Sequence, residues 1–337
     1  MITRSLGSSG PRVSALGLGC MGMSDLYGPA DRAESIATIH AALDAGVTLL
    51  DTGDYYGMGH NEMLLREALH GRTREQVVLS VKFGALRDPR GGWLGIDGRP
   101  VAVKNFLAHS LRRLGTDYID IYRLGRVDPS VPIEETVGAI KEMIEAGHVR
   151  QVGLSEAGAA TLLRAHQTYP ICDLQIEYSL VSRGIEAKIL PVCRELGIGI
   201  TAYGVLSRGL ISGHWSKDRR VPANDFRNYS PRFSAEHIDH NLSLVEALRA
   251  IAKEKTLTVA QLAIGWVLSR GDDIVPLVGA RRRDRLAEAL GALAADLSPD
   301  DLARIERAIP KGAAAGERYN VHGMASLDSE RGERAGA

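Results

Sequence analysis

Cysteine is scarce: Cys20, Cys172 and Cys193 are the three in 337 residues. They are odd in number and far apart, so they form neither a disulfide framework nor zinc-type spacing. Reduced thiols in a cytoplasmic protein are the expectation. Net charge is also absent, because 41 Lys and Arg balance 41 Asp and Glu. That balance gives no reason to expect nucleic acid or an anionic membrane as partner. No apolar run approaches the roughly twenty residues that a membrane span needs. The opening MITRSLGSSGPRV has no apolar stretch of the signal-peptide kind, which again points to the cytoplasm. The ten histidines show no clustered ligand spacing, so no metal is expected.

What the chain does have is a rhythm. Short apolar runs, rich in β-branched residues, alternate with longer helical patterns. Strands are expected at Ser14–Leu18, Thr48–Asp51, Val77–Lys82, Tyr118–Leu124, Val149–Ser155, Asp173–Glu177, Gly199–Tyr203 and Asp273–Gly279. Helical patterns lie near 32–45, 61–70, 101–114, 132–146, 158–167, 184–196, 258–270 and 282–294. Eight βα units predict an α/β fold, a closed (β/α)8 TIM barrel forming a single domain over 1–310. An N-terminal β-hairpin around SSGPRV should close the barrel bottom. Two extra helices are expected, at about 235–255 and in SPDDLARIERAI, the latter with Ser298 as N-cap. Two insertions, 84–100 and 204–240, are long enough to be functional. The tail, 311–337, is rich in Gly, Ala and charge and reads as partly disordered, loose from about 325.

In such barrels the chemistry lies at the C-terminal strand ends. The second strand ends at Asp51 and the third at Lys82, two charges that can offset each other's burial. Tyr56 follows in a Gly-rich loop. An ammonium nearby should lower the pKa of its phenol and make it a proton donor to a carbonyl oxygen. Tyr55 is a competing candidate.

DTGDYYGMGHNE at 51–62 resembles the D-T-A-x-x-Y-G-x-G-x-N-E segment of the aldo-keto reductases, with Asp51, Tyr56, Gly57, Gly59, Asn61 and Glu62 in register. GLSEAG, LQIEYSL, ITAYGVLSRGLISG and PLVGARRRDRLAEAL follow in family order, so the resemblance spans nearly the whole chain. It implies NADP(H) and carbonyl reduction through an Asp-Tyr-Lys-His tetrad, of which Asp51, Tyr56 and Lys82 match three members. It further implies that Ser155, Glu156 and Gln175 face the nicotinamide carboxamide and that Tyr203 stacks on the ring. Many relatives have Asn at 156. By the same resemblance, Leu206, Arg208 and Gly209 are expected in a loop over the pyrophosphate. Gly279 opens the cofactor-binding segment after the eighth strand, where Arg281 and Arg285 suit an adenosine 2′-phosphate, since phosphates favour helix N-termini and Arg forks. Glu288 matches an adenine contact, while Ala289 stands where Asn is usual.

IDIYRLGRVDP at 119–129 resembles a segment in which relatives carry the tetrad His, and Gly125 stands in its place. Three readings follow. Arg123, two residues back on the same strand face, rises into the space and polarises the carbonyl, or else pairs with a buried carboxylate such as Asp51 or Glu177 or points outward, with Arg126 as an alternative donor. Or Gly125 makes room for a bulkier substrate. Or the barrel binds NADP(H) as a redox sensor with little turnover. The substrate is expected to be a small-molecule aldehyde or ketone in a mouth lined by Met23, Tyr27, Trp93, Trp215, Phe226 and Tyr229. Oligomeric state is not legible.

Overall fold

The computed structural model describes residues 1–24 and 26–331. The eight apolar runs form parallel strands, labelled here β1 (Gly17–Gly19), β2 (Leu49–Gly53), β3 (Val78–Phe83), β4 (Ile119–Leu124), β5 (Val149–Ser155), β6 (Ile171–Glu177), β7 (Gly199–Tyr203) and β8 (Ile274–Gly279). Each pairs with the next, and β8 returns to β1 with Leu277 opposite Gly17. The result is the closed (β/α)8 TIM barrel. Strands sandwiched between barrel interior and helices are buried on both faces, which is why they read as unbroken apolar runs. All five residues of β2 are buried, for example.

The hairpin Thr3–Ser5 with Arg12–Ser14 caps one end. Its Leu6 and Val13 pack with Leu49, Ile121, Cys172 and Val275 from the strands. The barrel bottom is thereby plugged, and chemistry is confined to the opposite mouth. Both extra helices form, Ile238–Glu254 and Pro299–Ala308, and the Ser298 cap is a full capping box with Asp301. No helix among the described residues is long and apolar enough to cross a membrane.

Departures from the expected elements are local. The helix read at 184–196 starts as a 3-10 turn, Gly184–Glu186, and becomes α-helical only at Ile189–Glu195. The first insertion folds into a small hairpin, Ala85–Arg87 with Trp93–Ile96. The tail is corrected for its described part. It makes a short helix, Val321–Ala325, buries Leu327, and returns Ser329 N–H to the carbonyl of Glu156. Residues 332–337 lie outside the described residues.

Candidate active site at the barrel mouth

Adjacent strands assemble the first polar group. In the β2–β3 register Asp51 lies opposite Ser80, and Gly53 opposite Lys82. Lys82 Nζ donates to Asp51 Oδ1, while Ser80 Oγ and Gln175 Nε2 each donate to Oδ2 at 2.8 Å. Both charged groups are buried, so each offsets a desolvation cost of several kcal/mol in the other. Burial still draws the Lys82 pKa down to about 8, against the upward pull of Asp51.

Tyr56 sits on the turn after β2, where Gly57 and Met58 take left-handed backbone angles (φ 57° and 55°). The Lys82 ammonium lies 5.3 Å from its ring centroid. The expectation that lysine lowers this phenol is corrected. Burial dominates and, with Tyr55 and Asp51, pushes Tyr56 well above the usual phenol range. The side chain is held protonated, as a proton donor requires.

Arg123 is a second correction. It does not rise toward position 125. Its Nη2 donates to Asp173, and its Nη1 reaches Asp51 Oδ2 at 3.5 Å, all fully inside the barrel. The reason lies in β6: Asp173 is itself completely buried and needs a cation. Gly153 stands in register with both residues, and a Cβ there would meet Asp173 Oδ1 at 2.7 Å and Arg123 Nε at 3.0 Å. A bare backbone at 153 leaves the passage through which the pair meets.

Nor is the space over Gly125 open. A Cβ on Gly125 would lie 3.2 Å from the Tyr55 hydroxyl oxygen, 3.3 Å from Tyr55 Cε1 and 3.2 Å from the carbonyl of Phe83. The Tyr55 phenol, edge-on to Tyr56 with centroids 4.9 Å apart, fills it. Arg126, read only as an alternative donor, leans over the same spot. Its Nη1 donates to Gly125 O at 2.7 Å and to Ser155 Oγ at 3.5 Å.

The residues matched to cofactor contacts divide into two groups. Leu206 is half-buried against the core. Arg208 Nη2 donates to Glu177 at 3.0 Å, while its Nη1 is buried with no hydrogen-bond partner. Gly209 follows in a left-handed conformation. Gly279 ends β8 on the surface. Arg281 Nη1 donates to the carbonyls of Tyr27, Gly28 and Pro29 at 3.1, 3.3 and 3.1 Å. Arg285 Nη1 donates to Glu288 at 3.1 Å, and Glu288 also holds His214 at 2.8 Å. Burial lowers the pKa of Arg281, and Arg227 lowers it further; Arg219 is lowered by burial and then by Arg227, Arg285 and Arg281. An anion among these mutually repelling guanidinium groups relieves that cost. With the unpartnered Arg208 nitrogen, this donor set fits a phosphorylated cofactor.

On the other side the tail intrudes. Arg318 grips Glu156 with both terminal nitrogens, at 2.8 and 2.7 Å. Glu156 also accepts from Tyr203 Oη at 2.7 Å, Ser329 Oγ at 2.7 Å and Glu177 N–H at 3.0 Å. Burial alone would raise its pKa; Arg318, joined by Arg126, holds it far below the usual carboxylate range. Glu156 is therefore engaged as an anchor for the tail. Tyr319 hydrogen-bonds Tyr203 at 2.9 Å, and Arg208 stacks 4.5 Å from the Tyr319 ring centroid. Arg318 and Tyr319 were missed in the sequence, where only the tail's composition was weighed. The dipeptide RY inside an otherwise small and flexible stretch is the signal that could have found them.

The aromatic lining is split. Trp93, half exposed, meets Tyr55 edge-on at 6.3 Å. Met23 is instead buried in the core. Tyr27 and Trp215 both flank Arg227, at 5.2 and 5.0 Å from their ring centroids, on the arginine-rich side. Phe226 stands with Arg208 and Tyr319, and Tyr229 faces solvent. Of the aromatic residues expected to line the mouth, Trp93 is the one that meets the Tyr55–Tyr56 pair.

Comparison with known proteins supplies the family. The model of the "Aldo/keto reductase family" matches residues 15–310. A relative from Glycine max, "Probable aldo-keto reductase 1", is 44% identical over 316 residues, covering 93% of this chain and 90% of its own. Among solved structures, a glycerol dehydrogenase from Gluconobacter oxydans superposes with a TM-score of 0.82 at 26% identity, covering 91% of this chain and 94% of that one. An aldo-keto reductase from Bacillus halodurans, in its holo form, gives a TM-score of 0.77 at 28% identity over 96% and 99%. With its barrel, its Asp51–Lys82–Tyr56 corner and these relatives, the chain belongs to the aldo/keto reductase family and is an oxidoreductase of that family.

Proposed function

We propose that this chain reduces aldehydes or ketones to alcohols with NADPH, Tyr56 being the proton donor. The observation that carries the reading is a buried, protonated phenol beside an ammonium that is itself tied to a carboxylate. When NADP(H) is bound, the chemistry it supplies is the hydride. Tyr56 gives its proton to the carbonyl oxygen as negative charge grows there. Lys82 stabilises the phenolate left behind, and Asp51 keeps Lys82 in place. Water at the open mouth then returns a proton to Tyr56.

The phosphorylated cofactor would be held by Arg208 and Gly209 at its pyrophosphate and by Arg281 and Arg285 at an adenosine 2′-phosphate, with Glu288 at the adenine. Tyr203, Ser155 and Gln175 would take the nicotinamide end; Glu156, engaged by Arg318, supports them from behind. Exposed Trp93 makes the approach apolar, which suits aromatic and aliphatic carbonyl compounds.

The test is NADPH oxidation by purified protein with nitrobenzaldehyde, pyridoxal, methylglyoxal and a bulky cyclic ketone. Turnover is expected with at least one. Its rate should fall as pH rises through about 8, where Lys82 loses its proton and can no longer stabilise phenolate. Tight NADPH binding without any turnover would replace the reductase by a cofactor-sensing barrel. Arg285→Ala should weaken NADPH by roughly ten- to hundredfold, the worth of one charge-assisted contact, and leave NADH nearly unchanged. Equal loss for both cofactors in a titration would remove Arg285 from the 2′-phosphate.

A further inference from the structure

The geometry points to Tyr55 as the second hydrogen-bond donor to the substrate carbonyl, delivered from the loop after β2 into the space that Gly125 leaves at the end of β4. The inference rests on the reductase reading above. It answers why a strand end at the heart of the mouth carries no side chain.

Three observations converge. First, Gly125 and Tyr55 fit closely against each other. A Cβ there would press on the Tyr55 ring and hydroxyl from one side and on the Phe83 carbonyl from the other. That carbonyl is fixed, because it accepts the Gly125 N–H at 2.8 Å. A Cβ at 125 would ask the phenol to give by a few tenths of an ångström, and glycine lets it lie where it does. Second, Tyr55 and Tyr56 stand edge to face with ring centroids 4.9 Å apart, so the two phenols share one corner of the mouth. Third, the phenol stays neutral, since burial pushes its pKa well above the ordinary range despite Arg126 nearby. A neutral phenol donates without giving up its proton.

The division of labour follows. The carbonyl carbon gains a hydride, its oxygen gains the Tyr56 proton, and NADPH becomes NADP+. Tyr55 loses nothing. It fixes the carbonyl and disperses the charge growing on its oxygen. A donor of this kind is typically worth a hundredfold or more in rate.

The experiment uses the full chain and measures kcat, the KM for the carbonyl and the dissociation constant for NADPH. Tyr55→Phe keeps the ring and removes the donor; it should lower kcat by roughly a hundredfold with NADPH bound as tightly as before. Gly125→His alone should also lose activity, because the imidazole meets Tyr55. The double variant Tyr55→Ala with Gly125→His should recover at least tenfold of the loss in kcat. If Tyr55→Phe matches the wild type, or loses NADPH affinity in step with rate, the proposal falls while the reductase reading stands. It also falls if the double variant binds NADPH normally yet remains slow, for then the hydroxyl serves only to hold Tyr56. If the wild type itself reduces no carbonyl compound, the reductase reading fails first and takes the proposal with it.

Discussion

Tyr56→Phe is expected to lower kcat by roughly a thousandfold, within the range that a positioned general acid contributes, with NADPH binding unchanged. The substitution removes one oxygen from a fully packed ring and leaves no cavity. Lys82 keeps its partner Asp51, so the charge balance of the site survives. What disappears is the hydroxyl of the ring that lies 5.3 Å from the ammonium. The cation that bears on the neighbouring phenol, Tyr55, is Arg126. Tyr55 can orient a carbonyl group, while Lys82, tied to Asp51, is placed to serve Tyr56. Single-turnover measurements with saturating NADPH would check this. A loss below tenfold would hand the acid role to Tyr55.

The second large effect concerns stability. Arg123→Leu should destabilise the protein by about 3–5 kcal/mol, the usual consequence of removing one partner of a buried ion pair. Asp173 is fully buried and would retain only the hydroxyl of Thr201 as a partner. Its carboxyl is already pushed up by burial in the intact protein, and losing the guanidinium pushes it higher. The sign of the pH dependence follows. A carboxyl with a raised folded-state pKa binds more protons folded than unfolded, so stability falls as pH rises from the unfolded value through the folded one. The deficit of Arg123→Leu should therefore be smaller in mildly acid buffer than in mildly alkaline buffer. Urea denaturation at both pH values measures it. A deficit that does not change with pH would mean that Asp173 is not the group left unpaired.

These two residues also mark how far the sequence could be read. The barrel was legible because βα alternation is a local pattern repeated eight times, and Asp51, Lys82 and Tyr56 were legible because each stands at a strand end or in a short motif. Arg123 was placed on the correct strand face by parity, but parity does not say whether a long side chain bends up or down. That was decided by Asp173 on β6 and by the gap at Gly153, both outside β4. Tyr55 was visible as a candidate; its position over Gly125 was not, since it depends on a loop and a strand that lie far apart in the sequence. Composition misjudged the tail for a related reason. Gly, Ala and charge signal looseness only when the charges have nowhere to go, and Arg318 has a buried carboxylate waiting for it.

That carboxylate gives the molecule a sense of order in time. Glu156 is made at the end of β5, and its guanidinium partner emerges 162 residues later. Until then every compact form of the growing barrel must leave that corner wet or accept a bare charge inside it. The last stitch is also the one that brings Tyr319 to Tyr203, the residue proposed to meet the nicotinamide. A chain interrupted after β8 would own every strand of the barrel and still present an unfinished, hydrated mouth. Synthesis thus delivers the scaffold first and the competent site only with the tail.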